Sequence, residues 1–292
     1  MKPKQLLHFV LHLRLHYQFF ILSGGYLMGG YLSDEMNSAQ FWLQFLNVHI
    51  LLFGGATAYN SWWDKDEGPI GGLKNPPKME KWMHPISLLF MFCGWIWSAF
   101  IGIEYAVIYG TSLLFFWLYS TPHARWKGRP LLSLVAIAVS TGFNSVLLGF
   151  WAAGGAFSAV VLLCAAGASF ILLSLYPVSQ VFQIIEDRLR GDETFTARYG
   201  LNQTKRFFTF SYLLGLILLS LGLYLAEGRI GFVLFILGSF SFLIIRAMIA
   251  PMEGRSEEYQ NVMKTKFFAS LSFVLFLLGA GTLKHSWISL IF

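Results

Sequence analysis

Long apolar stretches recur along the chain, each about as long as a membrane-spanning helix and each separated from the next by a polar segment. A helix that crosses the hydrocarbon core of a bilayer needs about 20 mainly apolar residues. The stretches that meet this requirement predict nine spanning helices, at about 15–33, 40–59, 84–102, 104–121, 131–151, 156–178, 207–226, 229–249 and 267–286. Only a short turn near Glu104 separates the third span from the fourth, so eight spans is the alternative count.

The basic residues test this count, because cytoplasmic loops of membrane proteins carry an excess of Lys and Arg. With nine spans, all but two of the 21 basic residues fall on the side that holds the N-terminus, and the exceptions are Arg229 and Lys284. With eight spans, the later basic loops would lie on the opposite side. The charges therefore favour nine spans with a cytoplasmic N-terminus and an outer C-terminus at Phe292.

Composition leads to the same class of protein. Hydrophobic residues make up 56% of the chain and charged residues 12%, and the mean hydropathy is +0.59. A soluble domain carries about 25% charged residues, so soluble enzymes, nucleic-acid-binding modules and disordered proteins are excluded. We expect one all-α polytopic membrane domain over residues 1–292, whose pI near 9.3 reflects membrane topology and not nucleic-acid binding.

The first of two acidic segments closes the second predicted span. Asn60 and Asp64 are four residues apart and share one helix face, and Asp66 and Glu67 follow directly. Carboxylate oxygens are suitable ligands for Mg²⁺, which typically takes one or two carboxylates together with substrate phosphates. The alternative interpretation is a solvated acidic loop beside Lys65.

The second acidic segment follows the sixth predicted span. Gln183 and Asp187 lie on one helix face, Glu186 is adjacent, and Arg188 and Arg190 come next. A charged loop with internal ion pairs is the alternative here. Because both acidic segments fall on the same membrane side, at the ends of even-numbered spans, they can face each other across a bundle. Such an arrangement can hold metal ions around a bound diphosphate.

A basic loop lies between the acidic segments in the sequence. It begins at Tyr119, turns at Pro122, and places Arg125, Lys127 and Arg129 at alternate positions. Fixed positive charges suit a phosphate group, and Arg can bind one through two parallel hydrogen bonds. The alternative is an ordinary cytoplasmic loop or a contact with anionic lipid.

Together, the three segments resemble the UbiA superfamily of membrane prenyltransferases. The first aspartate-rich signature of that family, N-x-x-x-D-x-D, is matched by Asn60, Asp64 and Asp66. The basic loop of the family is matched by Tyr119, Ser120, Pro122, Arg125 and Lys127. The end of the second signature is matched by Asp187, Arg188, Gly191, Thr194 and Gly200. The resemblance extends over nearly the whole chain, since nine spans are also typical of the family.

The second signature also departs from the family pattern. An alignment without gaps places Gln183 where the family has the first acid of D-x-x-x-D, and Ser179 where it has Asn. Asp187 is then the remaining acid, with Glu186 beside it. Pairing Asp187 with Asp192 would require an insertion and is disfavoured. This departure leaves the number of metal ions open and suggests a distinct subgroup with its own acceptor.

The resemblance implies Mg²⁺-dependent transfer of a prenyl group from an allylic prenyl diphosphate to an aromatic or lipid acceptor, with release of diphosphate. The metal ligands that it implies are Asp64, Asp66, Glu67, Glu186 and Asp187. The residues expected to bind the substrate are Asn60, Tyr119, Arg125, Lys127 and Gln183. Asp64, Asp187 and Arg125 are expected to be catalytic.

The partners implied are a prenyl diphosphate donor, a hydrophobic or aromatic acceptor and the lipid bilayer, without nucleic acid. We expect a multi-pass protein of the bacterial inner membrane with its active site facing the cytoplasm. The alternative function is a transporter, or another non-enzymatic membrane protein, with an ion site on the cytoplasmic side. Charges in the middle of spans and interrupted helices would support transport, but the charged residues gather at the ends of the spans.

Overall fold

The computed structural model describes residues 3–156 and 158–287, and helices account for most of them. In chain order they are α1 (Pro3–His12), α2 (15–32), α3 (Ser38–Asp64), α4 (Met83–Ser98), α5 (Ile103–Ser120), α6 (Pro130–Ala153), α7 (Ala159–Leu175), α8 (Ile184–Leu189), α9 (Phe195–Glu227), α10 (Arg229–Ile249) and α11 (Tyr259–His285). Apart from one isolated bridge between Ile70 and Leu73, β-structure is absent from the described residues. The predicted all-α class is confirmed.

Helices lie at all nine positions where spans are predicted. Within the described residues, six helical runs are long and apolar enough to cross a membrane: α3, α6, Ala159–Leu189, α9, α10 and Ser256–His285. α4 is apolar but has only 16 residues. The number of crossings and the side of the N-terminus stay predictions, and Phe292 lies outside the described residues.

The helices begin and end at residues that suit those positions. α6 starts with Pro130, which is well tolerated in a first helical turn because its missing N–H would have no partner there. α9 and α10 are separated only by Gly228, whose φ of 59° lies in the left-handed region that favours glycine. Such short connections make α9 and α10 antiparallel neighbours.

Close packing in the centre of the bundle depends on small residues, as is usual between helices in membranes. α2 and α6 cross where Gly149 lies against the backbone of Tyr26: a Cβ atom at Gly149 would come within 1.9 Å of the Tyr26 carbonyl oxygen. The buried aromatic side chains of Tyr26, Phe41 and Phe53 fill the core around this crossing.

The polar loops that are predicted to share one membrane side do meet at one end of the bundle. Gln183 donates a hydrogen bond to the Pro69 carbonyl at 3.2 Å, which joins the two acidic segments. Lys205 donates to the Met252 carbonyl at 2.9 Å, which adds the loop after α10. Lys284 lies at the opposite end, where it pairs with Glu227. Lys205 and Lys284 therefore lie at opposite ends of the bundle, as the charge pattern predicts.

Three helices change their hydrogen-bond pattern in mid-span, where i to i+5 bonds replace the usual i to i+4. The stretches are Gln18–Leu22 in α2, Asn47–Gly54 in α3 and Ala138–Phe143 in α6. Each contributes a side chain to the cavity described below, namely Leu22, Phe53 and Thr141. Such local widening of an α-helix is frequent at functional sites.

Candidate active site

A cavity of about 210 Å³ opens at the end of the bundle where the polar loops meet. Its wall is charged near the loops and apolar further in. The charged and amide side chains that line it near the acidic segments are Asn60, Asp64, Asp66, Lys127, Gln183 and Asp187. The cavity thus collects side chains from both acidic segments and the basic loop.

Asp64 is the last residue of α3, and the helix ends there because Lys65 takes a left-handed conformation with φ of 52°. The Asp64 side chain is buried. Its Oδ2 atom lies 2.6 Å from the ammonium of Lys127, which the loop after α5 carries to this point. Its Oδ1 atom accepts no hydrogen bond, and Arg125 is 3.9 Å away. Asp64 therefore offers one buried carboxylate oxygen that no donor satisfies.

Arg190 connects the two acidic segments. It donates a hydrogen bond to Asp66 of the first segment and another to Asp187 of the second, at 2.6 Å. The hydroxyl of Thr194 also donates to Asp187, at 2.9 Å. Burial disfavours the charged form of Arg190, but the neighbouring Asp66 and Asp187 carboxylates outweigh burial and raise its pKa. Arg190 thus stays a cation and holds both segments together.

Asp192 joins the basic loop to the second acidic segment. It is buried, and it accepts two hydrogen bonds from Arg125, at 2.7 and 2.8 Å. These bonds are the main cause of the raised pKa of Arg125. The backbone N–H of Glu193 also donates to the Gly128 carbonyl at 3.2 Å. The position of Lys127 in the cavity is fixed by these contacts on both sides of it.

Neutral side chains also line the cavity, and hydrogen bonds hold them in place. Asn60 donates to the hydroxyl of Ser120 at 3.2 Å, so the first acidic segment is tied to the end of α5. The hydroxyl groups of Tyr119 and Tyr176 lie 3.0 Å apart. Tyr119 and Gln183 also line the cavity, and their substrate-binding role stays a prediction.

Two of the proposed metal ligands and one proposed phosphate ligand do not line the cavity. The side chain of Glu67 is exposed to solvent. Glu186 is partly exposed, lies beside Gly68 and is 3.4 Å from Arg190. Arg125 is engaged by Asp192 and is likewise absent from the cavity wall. The predicted residues that the structure brings together in the wall of this cavity are Asn60, Asp64, Asp66, Tyr119, Lys127, Gln183 and Asp187.

Metal binding at this site would rely on few protein ligands. Within the described residues, no three His, Cys, Asp or Glu side chains are grouped closely enough to hold a metal ion by themselves. Mg²⁺ needs fewer, since it usually takes one or two carboxylates and keeps water or phosphate oxygens in its other positions. Asp64 can supply such a ligand, because its carboxylate is buried and its Oδ1 atom accepts no hydrogen bond.

Two buried cations in the cavity wall, Arg14 and Lys266, were not identified from the sequence, and Arg190 and Asp192 make more contacts at this site than the sequence indicated. From the sequence, Arg190 is expected in a charged loop with internal ion pairs, and Asp192 is a disfavoured metal ligand. In the structure, the side chain of Arg190 is 17% exposed and that of Asp192 is 2% exposed. Arg14 is buried, lines the cavity and donates to the hydroxyl of Ser61 at 2.8 Å. The available signal was a single arginine between the apolar residues of α1 and α2.

Comparison with known proteins identifies the family. The family model described as "UbiA prenyltransferase family" matches residues 19–271, which is most of the chain. The chain belongs to the UbiA prenyltransferase family. No curated protein sequence matches it significantly.

Solved structures of UbiA homologues share the fold. A UbiA homologue from Archaeoglobus fulgidus bound to DMAPP and Mg²⁺ matches with a TM-score of 0.73 at 13% identity, over 93% of this chain and 98% of that chain. The same homologue bound to GPP and Mg²⁺ matches with a TM-score of 0.73 at 14% identity, over 94% and 99%. An apo UbiA homologue from Aeropyrum pernix K1 matches at 0.66 and 18% identity, over 92% and 98%.

A second cavity of about 320 Å³ adjoins the charged one inside this UbiA fold. Leu22, Thr141 and Leu172 belong to both walls. The second wall is mostly apolar and includes Leu237 and Phe240 of α10, whose side chains are exposed on the outside of the bundle. The charged site therefore continues into an apolar space that reaches the lipid-facing surface.

Proposed function

We propose that this member of the UbiA family transfers a prenyl group from an allylic prenyl diphosphate to an aromatic or lipid acceptor and releases diphosphate. The observation that carries the proposal is the meeting of Asp64, Asp187 and Lys127 at the mouth of a cavity that continues into apolar space. A prenyl diphosphate has the same division, with a charged head and an apolar chain. The homologues bound to DMAPP or GPP with Mg²⁺ support this choice of donor.

The cations of the site would bind the diphosphate. Lys127 lines the cavity and lies next to Asp64, so its ammonium can hold phosphate oxygens while staying close to the carboxylate. Arg125 lies two residues before Lys127 in the same loop, and its ion pair with Asp192 would keep the loop in the position that Lys127 needs. Asn60, Tyr119 and Gln183 would supply neutral hydrogen-bonding groups around the head.

Mg²⁺ would be held by Asp64, Asp66 and Asp187, with Glu67 and Glu186 as further candidates outside the cavity wall. When bound, it would offset the charge of the diphosphate and make it a better leaving group. The protein's own part is to place the carboxylates and to keep Arg190 between Asp66 and Asp187, so that the acidic segments do not separate.

The apolar and aromatic walls would control the rest of the reaction. Breaking the bond between the prenyl C1 atom and the diphosphate oxygen leaves an allylic cation, which an electron-rich atom of the acceptor attacks before the acceptor loses a proton. The faces of Phe53 and Phe116, whose rings are 5.8 Å apart in the cavity wall, can stabilise such a cation. The surrounding apolar side chains would keep water from reaching it.

The test is release of diphosphate from geranyl diphosphate by the purified protein in nanodiscs, with a lipid and quinone-precursor extract as the source of acceptor. We expect release that requires Mg²⁺ and stops with EDTA. Asp64→Asn should lower the rate at least about 100-fold, as expected for loss of a group that stabilises charge in the transition state.

The matched control for Asp64→Asn is Asp34→Asn, an exposed acid near Lys284 at the opposite end of the bundle, which should keep the wild-type rate. Release that is unaffected by EDTA, or equal rates in both variants, would contradict the proposal. Bound geranyl diphosphate without any release, across the whole acceptor extract, would favour a transport or binding role. Mass spectrometry of lipids and quinones from cells with and without the gene would then identify the acceptor.

A further inference from the structure

A groove lies on the outside of the bundle between α9 and α10, at the same end as the charged cavity but on a different surface. Its volume is about 540 Å³. The residues that form it include Lys205, Arg206, Phe208, Phe210, Arg246 and Ile249. No residue of this groove belongs to the wall of the charged cavity or of the apolar cavity that adjoins it.

The groove carries positive charge that the protein itself leaves uncompensated. Arg206 and Arg246 are exposed, and neither guanidinium group forms a hydrogen bond or ion pair with another described residue. Lys205 is fixed by hydrogen bonds to the carbonyls of Ala250 at 2.6 Å and Met252 at 2.9 Å. Among the described residues, no Asp or Glu lines the groove. The groove therefore presents three cations to an anionic ligand.

The surface next to these cations is apolar and faces outward. On α9, Phe210 lies one turn beyond Arg206 and is 63% exposed, and Ile217 continues the same face at 53%. On α10, Leu243 lies one turn from Arg246 and is 59% exposed. An exposed apolar stripe on each of α9 and α10 thus runs from the basic groove toward the middle of that helix.

We propose that this groove binds an anionic phospholipid of the surrounding bilayer, with the phosphate between Arg206 and Arg246 and the acyl chains along the apolar stripes. The charges select an anionic headgroup over a zwitterionic one, because basic pockets between helices attract anionic lipids. The division into a charged end and apolar stripes matches an amphiphile better than a soluble anion. The site is separate from the proposed prenyl transfer and does not depend on it.

The experiment is native mass spectrometry of the full-length protein in detergent, titrated with phosphatidylglycerol or with phosphatidylcholine of the same acyl chains. We expect the wild type to bind one phosphatidylglycerol molecule more tightly than phosphatidylcholine. The double variant Arg206→Gln/Arg246→Gln should lose about 30-fold in affinity for phosphatidylglycerol, since each arginine near an anionic headgroup contributes roughly fivefold. Its affinity for phosphatidylcholine should be unchanged.

The control is Arg229→Gln, which removes an exposed arginine from the other end of α10 and should keep the wild-type preference. Far-UV circular dichroism and elution volume establish that each variant is folded. Equal affinity of the wild type for the two lipids, or a preference that survives in the double variant, would overturn the proposal.

Two competitors distinguish a lipid from other phosphates. Inorganic phosphate and geranyl diphosphate, each added at a concentration equal to that of the lipid, should not displace phosphatidylglycerol. Displacement by inorganic phosphate would make the groove a simple anion site. Displacement by geranyl diphosphate would make it an entry point for substrate, and either result would replace the phospholipid as the occupant.

Discussion

Arg190 is the residue through which the two acidic segments are joined. Its guanidinium contacts Asp66 and Asp187, whose carboxylates are almost fully buried, while its own side chain is 17% exposed. Two carboxylates brought together without a cation repel each other and lose their hydration at the same time. The cation is therefore required for the acidic segments to pack as they do.

Arg190→Gln should lower the free energy of unfolding by about 2–3 kcal/mol, somewhat below the value for breaking a fully buried ion pair because Arg190 is partly exposed. The measurement is SDS- or heat-induced unfolding in detergent. Arg198→Gln breaks an ion pair to Glu193 in which both side chains are more than half exposed, and should change the stability by less than about 1 kcal/mol. Equal losses in both variants would mean that Arg190 acts only at the surface.

Asp192 is a buried acid of the site that is not among the proposed metal ligands. An alignment without gaps excludes it from the metal ligands, and the structure places it with Arg125 and outside the cavity wall. Asp192→Asn should therefore lower the rate of diphosphate release only mildly, because the basic loop would lose its ion pair between Arg125 and Asp192. Asp187→Asn should nearly abolish it. The two variants are compared by initial rates over a range of Mg²⁺ concentrations, and equally severe losses with the same Mg²⁺ dependence would place Asp192 among the metal ligands.

Two helices of the bundle begin well before the stretches that hydropathy identifies. α9 begins at Phe195, although the predicted span begins at 207, and α11 begins at Tyr259 instead of 267. Hydropathy detects the part of a helix that contacts lipid or the core, whereas backbone hydrogen bonds continue through polar residues at the ends. In α9 this continuity is broken at Gly200, whose φ of 78° and ψ of 170° are not helical, so a kink separates residues 195–199 from the long helix that follows.

The crossing of α2 and α6 gives a prediction for the helices themselves. Gly149→Val would place side-chain atoms against the Tyr26 carbonyl, and because the obstacle is backbone, the helices would have to move apart. We expect a loss of about 2–4 kcal/mol in the free energy of unfolding, toward the upper end of the effect of overpacking. Thermal unfolding in detergent measures it.

The control for that variant is Gly279→Ala in α11, where a Cβ atom would meet nothing within 4 Å. Alanine is the better helix former, so this variant should be as stable as the wild type or slightly more stable. If Gly149→Val unfolds like the wild type, the close approach of α2 and α6 does not determine the packing of the bundle.

Charged residues of the whole molecule gather at the two ends of the bundle. One end holds the acidic segments, the basic loop and the loop after α10. The other holds Asp34, Glu227 and Lys284. The positive-inside rule predicts that the first end faces the cytoplasm, in which case the groove between α9 and α10 would lie in the cytoplasmic leaflet.

This orientation is tested by cysteine labelling in intact cells. Lys65 and Asp34 are both exposed and lie at opposite ends of the bundle, so Lys65→Cys and Asp34→Cys are suitable sites in a background that lacks the exposed Cys93. We expect an impermeant maleimide to label Asp34→Cys from outside and Lys65→Cys only after permeabilisation. The reverse pattern would contradict the predicted orientation, and labelling of both from one side would refute the nine-span topology.

The sequence by itself determined the class of fold, the approximate positions of the nine helices that coincide with predicted spans, and the separation of charges between the two ends. It did so because apolar length and the placement of Lys and Arg are local properties of the chain. The spacing of Asn60, Asp64 and Asp66, and of Arg125 and Lys127, likewise indicated where the candidate site lies. These residues are close in sequence and act as short motifs.

Only the tertiary structure decided which of these charges contact each other. Arg125 meets Asp192, and Arg190 meets Asp66, across 67 and 124 residues of sequence. It also turned Glu67 toward solvent and placed Arg14 in the cavity wall. Contacts of this kind depend on how helices cross and where each one ends, which follows from close packing at residues such as Gly149. No local pattern of polar and apolar residues contains that information.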